Sequence, residues 1–306
     1  MLIAEHNYQD VNLHDTSQEI WLNPVGGMGD ILIASSVLKI ITDQYPDKKF
    51  NIIRRSRFMS FFNNHPAVNK IGHPPSDAIV VSTLYWKYND NNKIEAGPGI
   101  NRPFQLLAKK FGLKIPVEEI FYYPNEIEND LLFDFIPWKS KNILIAPMSD
   151  SQKKNMNPMG WIQIVEKIKG DDRLIVQVGV DSNPYIIGTF NLIGLTSPAQ
   201  VINILKKCDL LITVDNFIMH LAHMTKTRTI VLWGPTQFDV FGYPEHIHFT
   251  PQRKCEFFDR CMGRKGYKEF NEYHKPCHLP AENHCMNYID IDNLVDNIEK
   301  EIHIRN

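Results

Sequence analysis

The sequence predicts an α/β chain of two domains, each built on a parallel sheet. Three observations lead there. The 306 residues exceed what one hydrophobic core usually organises. Short apolar runs alternate with stretches of helical periodicity. The alternation is broken once, at residues 135–141, where a proline and clustered charge read as a linker. The expected division is residues 1–137, then 138–289 with a cysteine-rich loop at 251–286, then a helix at 290–306 that packs back on the body.

In the first half, residues 19–24 are a strand-sized apolar stretch. The turn Gly26, Gly27, Met28, Gly29 follows, after which Ile31, Ala34, Ser35, Leu38 and Ile41 recur at helical spacing. Residues 50–54 and 78–82 read as further strands, joined by aromatic, Asn-rich and Pro-rich loops and short helices. In the second half, residues 142–147, 174–179, 210–215 and 229–233 are near-continuous apolar runs, the pattern of strands covered on both faces. Residues 199–207 carry helical periodicity, and parallel strands joined by helices require right-handed crossovers. Ile291, Leu294, Val295, Ile298 and Ile302 form the apolar stripe of the last helix.

Composition narrows the function. The chain is 43% hydrophobic and 22% charged, so it can fill two cores. A formal charge of −2, from 33 Lys and Arg against 35 Asp and Glu, gives no global field for nucleic acid or an anionic membrane. The longest apolar runs, 143–146 and 210–214, are strand-sized and far below a bilayer span. Residues 1–15 carry Glu5, Asp10 and Asp15 and do not read as a signal peptide. The expected location is the cytoplasm, with at most peripheral contact at the inner membrane.

Four segments carry candidate chemistry. Gly27 and Gly29 flank the start of a helix whose N–H groups favour an anion, with Asp30 beside them; Asp30 reads equally as an ordinary helix-start carboxylate. The segment lacks the G-x-G-x-x-G and G-K-[ST] patterns, so neither dinucleotide nor nucleoside-triphosphate binding follows. Ser149 to Lys154 follows a strand, and Lys153 and Lys154 suit a leaving diphosphate or are simply solvated. Asp215 and Asn216 stand at a strand end with His220 one turn along, where open α/β sheets bind ligands. His220 and His223 lack H-E-x-x-H and a nearby acidic cluster and read as packed or capping histidines. Gly234, Pro235 and Thr236 end another strand, where small residues admit a phosphate and the hydroxyl bonds it; a turn before a helix reads the same way.

Cys255, Cys261, Cys277 and Cys285 crowd into one loop with His274, His278 and His284. In a reducing compartment disulfides are disfavoured. Spacings of five, fifteen and seven residues contain no C-x-x-C, which leaves a structural iron or zinc and free thiols both open.

In combination the segments resemble glycosyltransferase family 9, the heptosyltransferases. The resemblance rests on Gly26-Gly27-Met28-Gly29-Asp30-Ile31-Leu32, Lys154 shortly before Trp161, Asp215 with His220-Leu221-Ala222, and Gly234-Pro235-Thr236. It spans roughly residues 20–290, and the cysteines are similar to a tail in some members. It implies the GT-B fold, two Rossmann-like domains facing across a cleft, the C-terminal one holding the nucleotide sugar and the N-terminal one the acceptor. It implies transfer of heptose from ADP-heptose with inversion and without a catalytic divalent metal, to lipopolysaccharide core or another cell-surface acceptor, glycolipid or protein. Asp30 then matches the general base and Lys154 the lysine at the donor phosphates. Gly27, Gly29, Ser149, Asp215, Asn216, His220, Gly234, Pro235 and Thr236 match donor-binding positions. One departure stands out: Phe217 occupies a position where the family usually has Gly, which narrows the donor site or moves the backbone.

Overall fold

Strand β1 (Ile20–Asn23) is buried along its whole length, and a strand hidden on both faces needs helices to cover it. Helix α1 (Met28–Gln44) does so, burying Ile31 to Leu38 and Ile41. Around β1 a four-stranded sheet forms with β2 (Phe50–Ile53), β3 (Val68–Gly72) and β4 (Ile79–Ser82), in the order β3-β2-β1-β4. The resolved pairings are all parallel. Helix α2 (Pro103–Lys109) packs on α1.

The computed structural model describes residues 11–13, 19–54, 58–83, 102–113, 118–123, 130–256, 258–261, 277, 279–280 and 283–304. Tyr85, Trp86 and Tyr88, expected to face an acceptor, lie outside them. The chain divides into two units, Met1–Glu126 and Ile127–Asn306.

The second unit begins with α3 (Leu131–Phe135). The Asp130 carboxylate accepts from Gln200 Nε2 and Asn203 Nδ2, which ties this segment to α5 (Pro198–Lys207). Six strands follow: β5 (Lys141–Ala146), β6 (Arg173–Gly179), β7 (Phe190–Ile193), β8 (Leu210–Val214), β9 (Thr229–Leu232) and β10 (Ile247–Phe249). Their order is β10-β9-β8-β5-β6-β7, all pairs parallel. This is the doubly wound arrangement, in which the chain runs outward from one central pair in both directions. The remaining helices are α4 (Pro158–Ile168), α6 (Phe217–Thr225), α7 (Phe238–Phe241), α8 (Phe258–Cys261) and α9 (Ile291–His303).

Local signals set these boundaries. Asn157 caps α4 with Pro158 behind it, and Ser197 with Gln200 forms a capping box on α5. Asp290 caps α9, whose Leu294, Ile298 and Ile302 enter the core beside α4. Arg173 pairs bidentately with Glu299, Arg228 meets Glu301 at 3.0 Å, and Lys141 Nζ donates to Ile302 O, so α9 is clamped to three strand starts.

Strands β3, β7 and β10 were not among the strands expected. Each is an edge strand, and β3 and β10 are largely half-buried or exposed. An edge does not require the continuous apolar run by which inner strands are recognised.

In the first unit, His65 lies before β3 and is 3% exposed. Its Nε2 faces Ser35 O at 2.7 Å, and its Nδ1 accepts from Ala67 N at 3.1 Å, which fixes a neutral imidazole. Burial, with Lys39 and Lys49 adding to it, lowers its pKa from 6.5 to about 4. The unfolded chain therefore binds more protons across that window, so stability rises with pH through it and is lost as pH falls from 6.5 toward 4. The shift is worth about 3 kcal/mol. Melting curves of wild type and His65→Gln across this range should converge as pH falls. A constant gap would contradict a neutral, buried His65.

Candidate donor site

Strands β5 and β8 are hydrogen-bonded neighbours, yet the chain leaves β5 toward β6 and leaves β8 toward β9, on opposite sides. No crossover covers the groove outside their carboxyl ends, and ligands settle there. The loop after β5 reaches this point through Ser149, whose N–H donates to Asn155 Oδ1 and whose carbonyl accepts from Asn155 Nδ2. The tightened turn Gln152–Lys154 then turns Lys154 toward β8. Its Nζ lies 3.0 Å from Asp215 Oδ2, with the two side chains 12% and 8% exposed.

Asn216 braces the same point. Its Oδ1 accepts from Ile218 N and Met219 N and so caps α6, while its Nδ2 donates to Ala146 O and Met148 O at the end of β5. Thr213 Oγ1 bonds Asn216 Oδ1 at 3.1 Å. Phe217 opens α6 with its side chain 8% exposed. Among the described non-glycine residues only Phe58 and Lys226 have positive φ, so Phe217 sits in its place without backbone strain.

The β9 end joins this neighbourhood. A Cβ on Gly234 would lie 2.9 Å from both Lys153 O and Met286 Sδ, so only glycine allows that approach. Pro235 leads to Thr236, whose Oγ1 is buried without a hydrogen-bond partner among the described residues. An orphaned hydroxyl at a strand mouth suits a ligand oxygen. His220, buried in α6, contacts Tyr243 Oη through Nδ1 at 2.8 Å.

Gly27, Gly29 and Asp30 belong to the first unit, at the mouth of β1. Gly26 has φ +113° and Gly27 caps α1; the Gly27 N–H donates to Asp30 Oδ2 at 2.8 Å. A Cβ on Gly26 would lie 2.4 Å from that oxygen. Asp30 thus folds back over the helix start. Thr83, at the end of neighbouring β4, accepts from Val25 N and steadies the turn.

The sequence did not single out Tyr243, Glu245 and His246. His223 bonds Glu245 through Nδ1 and stacks on Tyr243, with ring centroids 3.7 Å apart and 7° between planes. Burial drives the His246 pKa down to about 3, against the raising effect of Glu245, with His223, His248 and His220 also lowering it. Twenty-two residues separate His223 from Glu245, so no local spacing reveals them. The one cue was the histidine pair His246 and His248.

Among the described residues none of the four cysteines forms a disulfide. Burial raises Cys285 to about 12, with charge on Cys255, Cys277 and Cys261 adding to it. Cys261 is also raised by burial, opposed by Lys153, which donates to its sulfur. Among the described residues, the group of His, Cys, Asp or Glu ligand atoms drawn within 4.8 Å of one another is His223, Glu245 and His246; the cysteines are not so closely drawn together. No helix among the described residues is long and apolar enough to cross a membrane.

Two Rossmann-like units with parallel sheets of four and six strands have the architecture of the GT-B fold. The model of glycosyltransferase family 9 (heptosyltransferase) matches residues 61–248, more than half of the chain, and the chain belongs to that family. Among solved structures, the iron-containing dodecameric glycosyltransferase TibC from enterotoxigenic E. coli H10407 is 14% identical with a TM-score of 0.67, covering 96% of this chain and 77% of its own. TibC in complex with ADP-D-beta-D-heptose is similar at a TM-score of 0.65, with the same identity and coverage. E. coli heptosyltransferase WaaC with ADP is 12% identical with a TM-score of 0.56, covering 93% of this chain and 100% of its own. No curated protein sequence matches the chain.

Because Asn216 serves both the α6 cap and the β5–β8 junction, Asn216→Ala should cost about 2 kcal/mol in urea unfolding. Asn216→Asp keeps the cap acceptor but loses both donated bonds, so it should not recover the wild-type midpoint. Full recovery would show that the cap alone matters.

Proposed function

We propose that the chain transfers heptose, or a related sugar, from ADP-heptose to a lipopolysaccharide-core or other cell-surface acceptor, a protein included. The observation that carries this reading is the Lys154–Asp215 pair at the β5–β8 mouth. A diphosphate there would need a cation and a hydroxyl donor, and Lys154 after β5 and Thr236 after β9 would supply them. The family membership and the ADP and ADP-heptose held by similar folds support it.

The chemistry follows from the residues. An acceptor hydroxyl attacks the anomeric carbon from the face opposite the diphosphate, which inverts that centre. Asp30 accepts the hydroxyl proton as the new C–O bond forms. Its bond from Gly27 N–H stabilises the carboxylate and fixes its direction, so Asp30 contributes position more than basicity. The bond from C1 to the β-phosphate oxygen breaks, and the ADP that leaves gains charge. Lys154 and the Thr236 hydroxyl stabilise that charge, without a catalytic divalent metal, while Asp215 aims Lys154. In the second unit Ser149, Asn216, His220, Gly234 and Pro235 shape the donor pocket, while Gly27 and Gly29, in the first unit, belong to the turn and helix start that carry Asp30.

We also assign a structural iron or zinc to Cys255, Cys261, Cys277 and Cys285. The crowding of four cysteines between residues 255 and 285 and the iron named for TibC support this, and the sulfurs must draw closer to share one ion. When bound, the ion would pin the loop; no catalytic step passes through it.

With ADP-heptose and a lipopolysaccharide-core acceptor, wild type should release ADP. Asp30→Asn and Lys154→Ala should each lower kcat by about 10²-fold or more. Donor binding without turnover on any acceptor would overturn the enzymatic reading.

A further inference from the structure

His223 stands in the last turn of α6, and Glu245 and His246 stand in the turn just before β10. Their ligand atoms lie within 4.8 Å of one another, and one His246 nitrogen, Nε2, is 3.9 Å from Glu245 Oε1. The His246 side chain is 1% exposed, and neither of its ring nitrogens has a hydrogen-bond partner among the described residues. An imidazole carries a donor and an acceptor, and burying both unmet is costly. Hydrogen bonds brace the turn holding it. Tyr243 O accepts from His246 N and faces His248 Nε2, and His248 Nδ1 accepts from Trp233 Nε1.

We propose that His223, Glu245 and His246 bind a divalent transition-metal ion of the zinc class, with water in the remaining position. Two imidazoles and one carboxylate are a donor set that zinc accepts, with bonds of about 2.0–2.2 Å. A tetrahedral ion with such bonds holds its ligand atoms about 3.3 Å apart. The separations here close to that by about 1.5 Å at most, and Glu245, whose side chain is 45% exposed, can rotate to do so. The same exposure gives the ion its entry path. The His223–Glu245 hydrogen bond opens to admit it, and His246 gains the partner it lacks.

A bound ion would clamp the turn at residues 242–246 to α6. Tyr243 belongs to that turn, stacks on His223 and bonds His220, so the clamp would also steady His220. That consequence rests on the donor reading above; the metal site does not.

The test counts metal on the full chain, equilibrated with ZnCl₂ and freed of excess. Wild type should hold one more zinc per chain than Glu245→Gln, a change at a half-exposed side chain that leaves the core intact. His246→Asn should lose the same equivalent. With CoCl₂ instead, the visible bands lost in Glu245→Gln should be those of nitrogen and oxygen ligation, and any thiolate charge-transfer band should be unchanged. Equal zinc content in wild type and Glu245→Gln, or a lost band of thiolate character, would overturn the site.

Discussion

The reversal of strand order at the parallel β5–β8 pair is the constraint on which the second unit's chemistry depends. Every other neighbouring pair in that sheet follows the chain outward to one side. At this pair alone the crossovers diverge, leaving backbone ends and loop side chains to face one mouth. The sheet is doubly wound because its inner strands are buried along nearly their whole length and need helices on both faces. The site is thus a consequence of how the core is buried.

Electrostatics at that mouth favours specificity over stability. An ion pair as shielded as Lys154–Asp215 recovers little more than its desolvation cost, so stability alone does not account for its place. It holds an ammonium group in one position before any ligand arrives, which lowers the reorganisation needed to meet a diphosphate. Asn216 makes the same position stiff by tying the helix cap to β5. Gly234 lets the third strand end approach the Lys153 backbone closely enough to share the mouth.

Much of this was legible from residue order. The inner strands and α1, α5 and α9 were visible because burial on both faces or on one stripe imposes strong apolar patterns. Edge strands β3, β7 and β10 were not, since one side of an edge is free of that demand. Asp215, Asn216, Lys154 and Thr236 could be picked out at strand ends, yet only the fold shows that Lys154 meets Asp215 across two strands. The lack of H-E-x-x-H led His223 to be read as a packed histidine. Its carboxylate partner Glu245 comes from another element, brought in by the return of the chain from α7 to β10. Phe217 reads as narrowing the donor site or moving the backbone, and its backbone at the start of α6 carries no positive-φ strain.

The central claim, that the β5–β8 mouth holds the diphosphate of a nucleotide sugar, is tested most directly by a crystal structure with ADP bound. The account predicts phosphate oxygens within hydrogen-bond distance of both Lys154 Nζ and Thr236 Oγ1. ADP bound with its phosphates away from the ends of β5, β8 and β9 would contradict it.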